Sequence, residues 1–394
     1  MQLSEQQSER VTATQPGTAG KAMRGALLAA ALAMPGISPP AHAEGISESG
    51  VIGLRYLYYK DYQPGLDRIR VSAPSVYFQL PTAGNWGVAG SFVSDSVSGA
   101  SPRWHTSISS ASRMRDLRNA GDIRITRYES RSTYSLSLAG SKEHDYLSRS
   151  GSFTATFSTE DNNRTWAVGA GYASDIINPV NQIVVDERRK TSDVMLGVTQ
   201  VLTPVDIVQA NLTHARARGY MNDPYKLPDQ RPRERDQSAL LLRWNHYFAE
   251  SGNTLKLAHR FYTDTYGIRA NTTSAEYVVP VKGGWTLTPL LRYHQQNAAK
   301  FYYDPVYDPV LGEPYPPGYL NNPNGLMSPD QRLSAFGAGT IGMRVAKQLE
   351  GGWSWDIRAE YYEQRGEWRL FGTGSPGLAP FSAWMIQSGV AKTF

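Results

Sequence analysis

Alternation with a period of two dominates the chain from Glu44 onward. Trp353, Trp355, Ile357, Ala359 and Tyr361 fall on one face of an extended segment, and Ser354, Asp356, Arg358 and Glu360 on the other, because successive side chains of a strand point to opposite sides. The pattern recurs in Tyr134, Leu136 and Leu138 against Ser135 and Ser137, in Phe153, Ala155 and Phe157 against Ser152, Thr154 and Thr156, and in Trp166, Val168, Ala170 and Tyr172 against Thr165, Ala167 and Gly169. Further on, Leu240, Leu242 and Trp244 oppose Arg243 and Asn245; Trp285, Leu287, Leu291 and Tyr293 oppose Thr286, Thr288, Arg292 and His294; Leu333, Ala335, Ile341, Met343 and Val345 oppose Ser334, Thr340 and Arg344. No convincing helical stripe accompanies them. The apolar rows carry aromatics toward their ends and the opposite rows are small, hydroxylic or charged, which suits a strand between lipid and a wet interior better than a dry sandwich.

Connections alternate in length. Short turns occupy Pro81 to Gly84, Glu160 to Asn163, Leu202 to Val205, Ala249 to Asn253, Lys282 to Gly284 and Glu350 to Gly352; long ones occupy Val97 to Ala120, Ile176 to Lys190, Ala217 to Arg235, Asn297 to Arg332 and Gln364 to Pro380. Strands fitted between them number about sixteen, and an even count lets both chain ends lie on one side of a closed antiparallel transmembrane β-barrel. Asp122 to Tyr128, short and basic, gives the weakest strand signal. The last strand, Phe381 to Phe394, places Trp384, Ile386, Val390 and terminal Phe394 in its apolar row, interrupted by Lys392. Such an ending resembles the signal read by the bacterial barrel-assembly machinery, an expected partner during insertion.

Composition agrees. Apolar residues make up 40%, below the ~45–50% of ordinary globular domains, as expected when one face of every strand is wet. There is no cysteine, which excludes disulfide frameworks and thiolate metal sites. The net charge of +5 comes from Lys and Arg scattered among acids, so nucleic acid is not an expected partner. At the amino end, Lys21 and Arg24 precede an apolar run from Gly25 to Met34, then prolines, then Ala41-His42-Ala43, the order of an export signal. Residues 1–43 are therefore expected to be an extension plus signal peptide, with Met23 the start and cleavage after Ala43; residues 44–394 form the barrel. No later stretch is apolar for long enough to span a bilayer as a helix, so a membrane role requires the barrel and an outer-membrane address.

Several segments resemble an uncharacterised family of outer-membrane barrels, the domain of unknown function 3570. They are residues 95–102, Glu143-His144-Asp145-Tyr146-Leu147-Ser148, Gly219-Tyr220-Met221-Asn222-Asp223-Pro224-Tyr225-Lys226, Arg260-Phe261-Tyr262-Thr263-Asp264, Arg292-Tyr293-His294-Gln295-Gln296, and Asp330-Gln331-Arg332-Leu333-Ser334-Ala335-Phe336. The resemblance implies fold and location and carries no activity.

A barrel of this size is too wide for its own side chains to fill. The residues expected to line it are Arg243, Lys256, Arg260, Glu276, Arg292, Arg344, Asp356, Arg358 and Glu360, either as a transverse charge field or as ion pairs among themselves. Putting Lys256 and Arg260 inside turns His259 toward lipid, which suggests a shifted or bulged strand. The loop with Phe301, Tyr302, Tyr303, Asp304, Tyr307 and Asp308 is a candidate constriction or external lid. Its Asp304, Asp308 and Glu313 lack the oxygen ladder of a calcium loop, and no metal or cofactor is expected. Arg103, Arg113, Arg115 and Arg118 would give another loop a basic surface for lipopolysaccharide phosphates. His144, Asp145 and Ser148 could be drawn as a hydrolytic cluster, but no nucleophile elbow supports it. The function expected is a porin-like passive channel for small hydrophilic solutes, not an enzyme; a non-conducting barrel whose loops bind an envelope or extracellular partner as a component of an export or redox system, and a rim hydrolase, are the alternatives.

Overall fold

The computed structural model describes residues 49–102, 111–226, 228–304, 315–316 and 318–394; the expected signal segment lies outside them. Among these residues there are sixteen strands: β1 (Val51–Gln63), β2 (Leu66–Thr82), β3 (Trp86–Pro102), β4 (Ala111–Tyr128), β5 (Ser132–Lys142), β6 (Tyr146–Ser158), β7 (Arg164–Ile177), β8 (Glu187–Thr203), β9 (Asp206–Gly219), β10 (Glu234–Phe248), β11 (Asn253–Asp264), β12 (Arg269–Val281), β13 (Trp285–Gln296), β14 (Phe336–Gln348), β15 (Trp353–Arg365) and β16 (Phe381–Thr393). Each pairs antiparallel with its sequence neighbours, and β1 pairs with β16 from Val51↔Thr393 to Tyr62↔Ser382, closing the barrel. Closure leaves no free edge. Both ends of the barrel domain lie at one rim, the terminal end, where the turns are short; the long connections lie at the opposite rim, the loop end.

Period-two patterning fixes which face is which. Leu54, Leu136, Leu212, Leu291 and Ile341 point outward and remain between 51% and 65% exposed. An apolar surface of this extent fits a bilayer and not water. Near the terminal end Trp86, Trp166, Trp244, Trp285 and Trp353 are all exposed on the outer face, forming an aromatic girdle. Lys392, which breaks the apolar row of β16, lies over the Trp353 ring and donates to the carbonyl of Gly351, so its charge leaves the belt at the rim. Trp384 and Ile386 face outward, and Phe394 exchanges backbone hydrogen bonds with Gly50 at 2.8 and 2.9 Å.

Four expectations need correction. The segment Val97 to Ala120 is mostly strand: β3 runs to Pro102, and β4, with 18 residues, begins at Ala111. Its charged residues share the alternation, Arg118, Asp122 and Arg124 facing in while Leu117, Ile123 and Ile125 face out. Arg118 is thus no loop cation; it is buried and donates to Asp95 at 2.7 Å. Arg103 lies outside the described residues. Leu333 and Ala335 precede β14 and are buried at the loop end. Finally, His259 does face lipid without any bulge: the β11 register is continuous on both sides. Its Nδ1 meets Thr273 Oγ1 at 2.9 Å and its ring packs on Phe261, so one of its two ring nitrogens is partnered within the wall.

Candidate functional site

Strand register turns every one of the nine expected lining residues inward on β10 to β15. They divide into two groups. Arg344 Nε contacts Asp356 at 3.2 Å, Arg292 reaches Glu360 at 3.7 Å, and Arg358 joins Glu360 to Glu276, the latter at 3.8 Å. Among the described residues these six form one isolated ion pair, Arg344 with Asp356, and one four-membered network. Arg243, Lys256 and Arg260 form no ion pair among the described residues. Ala258, between Lys256 and Arg260 on the inner face of β11, stands opposite Arg243, so the three cations surround one point on the wall. Arg243 donates to Gln209 at 3.1 Å and Arg260 lies over the Tyr262 ring. Glu276 stands opposite Lys256 in register but is held by Arg358. All three cations point inward and yet are exposed, so the barrel is hollow at this height. The inner faces of β5 to β7 carry Ser135, Ser137, Ser152, Thr154, Ala167 and Gly169, side chains too small to fill the space.

At the loop end the interior is filled. Asp330, with no exposed surface, accepts from Arg231 at 2.8 Å and from Arg332, and Lys226 lies 3.2 Å away. Arg231 also grips Asp229 at 2.7 Å, and Arg332 reaches Asp223 at 3.4 Å. The loops 220–233 and 297–335 are further joined by paired backbone hydrogen bonds between Gln230 and Met327. Burial alone would raise the Asp330 carboxyl, but Arg332, Lys226 and Arg231 together hold it well below the usual carboxylate range. Asp229 goes the other way, raised by burial despite Arg231. Burial also lowers the Lys226 ammonium, and it raises the Tyr220 phenol to about 12.

This cluster reaches across the mouth. Tyr225 donates to Asp145 on the β5–β6 turn, and the Val180 amide donates to Tyr225 at 3.1 Å. Gln296, at the inner end of β13, donates to the carbonyls of Arg332 and Ser334, and Ser375 accepts from the Ala335 amide. On the far wall, Arg68 is buried within electrostatic reach of Asp330, paired with the buried Asp61 and stacked over Phe381. Of the loop aromatics, Phe301 packs edge-on against Tyr266, and Tyr302 joins the same small core and donates to Asp304 at 2.9 Å. Tyr303 donates its amide to Ser328. Tyr307 and Asp308 lie outside the described residues.

Sequence patterning did not find the mouth cluster, because its members sit in loops where alternation says nothing. The signal that could have found it is the set of family-like segments: Asp145, Asp223, Tyr225, Lys226, Tyr262, Asp264, Gln296, Asp330 and Arg332 all come from them and all meet at the loop end. The hydrolytic cluster is not assembled, since His144 is exposed and forms no hydrogen bond among the described residues, while Asp145 is engaged by Tyr225. Among the described residues no group of three acids or histidines is placed to hold a metal.

The family described as "Protein of unknown function (DUF3570)" matches residues 109–186 and 181–385. No curated protein matches the chain. Among solved structures it is similar to OccD3 (OpdP) of Pseudomonas aeruginosa, at 10% identity over 90% of this chain and 94% of that one, with a TM-score of 0.44. It is also similar to OccK2 (OpdF) of the same organism in complex with glucuronate, at 10% identity over 89% and 100%, TM-score 0.46, and to a bacterial polysaccharide outer membrane secretin, at 7% identity over 87% and 98%, TM-score 0.48. At these identities and scores the likeness says nothing of substrate or partner.

Proposed function

The chain belongs to the DUF3570 family of proteins of unknown function, and from its geometry we propose that it is an outer-membrane channel passing small hydrophilic solutes, with anions favoured over cations. The long loops then face outward and the short turns the periplasm. One observation carries this reading: Arg243, Lys256 and Arg260 point into a hollow interior with exposed, unneutralised charge. A cluster of one sign on the wall biases the ions that enter. The loops at the mouth narrow the path and set its size limit.

Purified protein in planar bilayers tests this. Discrete current steps, with a reversal potential in a salt gradient displaced toward the chloride equilibrium value, are expected; Arg243→Gln with Arg260→Gln keeps the steps and moves that potential toward zero. Sustained electrical silence contradicts the channel, and steps with cation preference contradict the selectivity. Silence would favour a second reading, a sealed barrel whose outer loops dock an envelope or extracellular partner, for which the complete burial of Asp330 at the mouth is the supporting observation.

A further inference from the structure

The outer face of β8 and β9 changes character toward the loop end. β8 presents Arg188 and Lys190 there, then Ser192, Val194 and Leu196; β9 presents Arg218 and Arg216, then His214 and Leu212. Lys190 stands directly opposite Arg218, and Ser192 opposite Arg216. Like charges placed directly opposite repel, and an anion between them would relieve that repulsion. The acids on this face belong to β10. Glu234 lies 3.4 Å from both Arg216 and Arg218, and Asp236 lies 3.4 Å from Arg216. They serve the β9 side; Arg188 and Lys190 form no ion pair among the described residues. All four cations are exposed. Immediately toward the middle of the wall, Val194, Leu196 and Leu212 are 55%, 51% and 51% exposed.

We propose that this patch is a binding site for a phosphorylated glycolipid of the surrounding leaflet. Its phosphates bridge Arg188, Lys190 and Arg218, and its acyl chains lie along Val194, Leu196 and Leu212. Guanidinium groups take phosphate oxygens in pairs, and an ammonium adds a point charge. At about 3.3 Å per residue, the step from Arg218 to Leu212 spans roughly 20 Å, enough for a headgroup and the first part of its chains. The apolar rows continuing from the cations are what commit the site to a lipid; a free phosphate ion would use the charges alone.

Native mass spectrometry of the detergent-solubilised barrel titrated with diphosphoryl lipid A tests the site. Dephosphorylated lipid A and inorganic phosphate serve as comparison probes. The parent protein is expected to retain diphosphoryl lipid A, and Arg188→Gln/Lys190→Gln/Arg218→Gln to retain it about tenfold less or weaker, with heat-modifiable gel mobility unchanged. Arg188→Lys/Lys190→Arg is expected to restore most of the binding. Should the triple variant not fold, Arg188→Gln/Lys190→Gln removes only the two cations outside ion pairs and is expected to show the same loss in smaller measure. Equal retention by a folded variant overturns the proposal, as does equal retention of the dephosphorylated lipid. Inorganic phosphate binding as tightly as the lipid overturns the lipid assignment.

Discussion

Asp330 holds the mouth together through three cations, and loss of its charge removes the one partner that Arg231, Arg332 and Lys226 share, leaving Asp229 and Asp223 to balance them. Removing one partner from a buried ion cluster costs about 3–5 kcal/mol. In Asp330→Asn that cost is expected to appear as local opening, with loops 220–233 and 297–335 cut by protease far faster than in the parent while the barrel keeps its gel mobility. Gly219 enters the same loop with φ +121, and a Cβ there would lie 2.0 Å from the Arg188 carbonyl oxygen. Gly219→Ala is expected to disorder the start of loop 220–233 and to raise its hydrogen exchange. Both residues lie in the family-like segments, but the role of neither was legible from the hydrophobic pattern. Arg231 and Arg332 meet Asp330 and Asp223 across separations of 99 and 109 positions, and no local period connects them.

Strands were the legible part, because a wall with lipid on one side and water on the other imposes a two-residue period on every segment that crosses it. β13 and β15 show it most plainly. β4 was obscured because its inner row is charged and its outer row contains only Leu117, Ile123 and Ile125 with polar gaps. Inner and outer substitutions on one strand should therefore differ sharply. Leu291→Arg puts a charge in the belt and is expected to lower stability by about 2–4 kcal/mol, read as a shift in the urea transition in phospholipid vesicles. Thr288→Arg, facing the lumen three positions earlier, is expected to leave that transition nearly unchanged and to lower conductance. The nine lining residues were also legible as inward positions. Which six would pair and which three would stand apart was not, since that depends on reach across β12 to β15.

Taken whole, the molecule is a hollow tube with one crowded end. Because the folded Asp330 carboxyl sits below its unfolded value, its contribution to closing the mouth is complete above the ordinary aspartate pKa of about 3.9 and is lost as pH falls through the lower folded value. Asp229, raised by burial, holds its proton more tightly in the folded protein, so its protonation offsets part of that loss. Proteolysis of the mouth loops is expected to stay slow from neutral pH down to about pH 4 and to accelerate only below it, under an acid-active protease. The most direct test of the tube itself uses the absence of native cysteine. Arg243→Cys and Leu242→Cys, adjacent on β10, are placed in proteoliposomes and treated with a small, charged maleimide. The first is expected to label and the second to remain unlabelled; labelling at Leu242→Cys with none at Arg243→Cys would mean that the wet and greasy faces are reversed, and the account would fail.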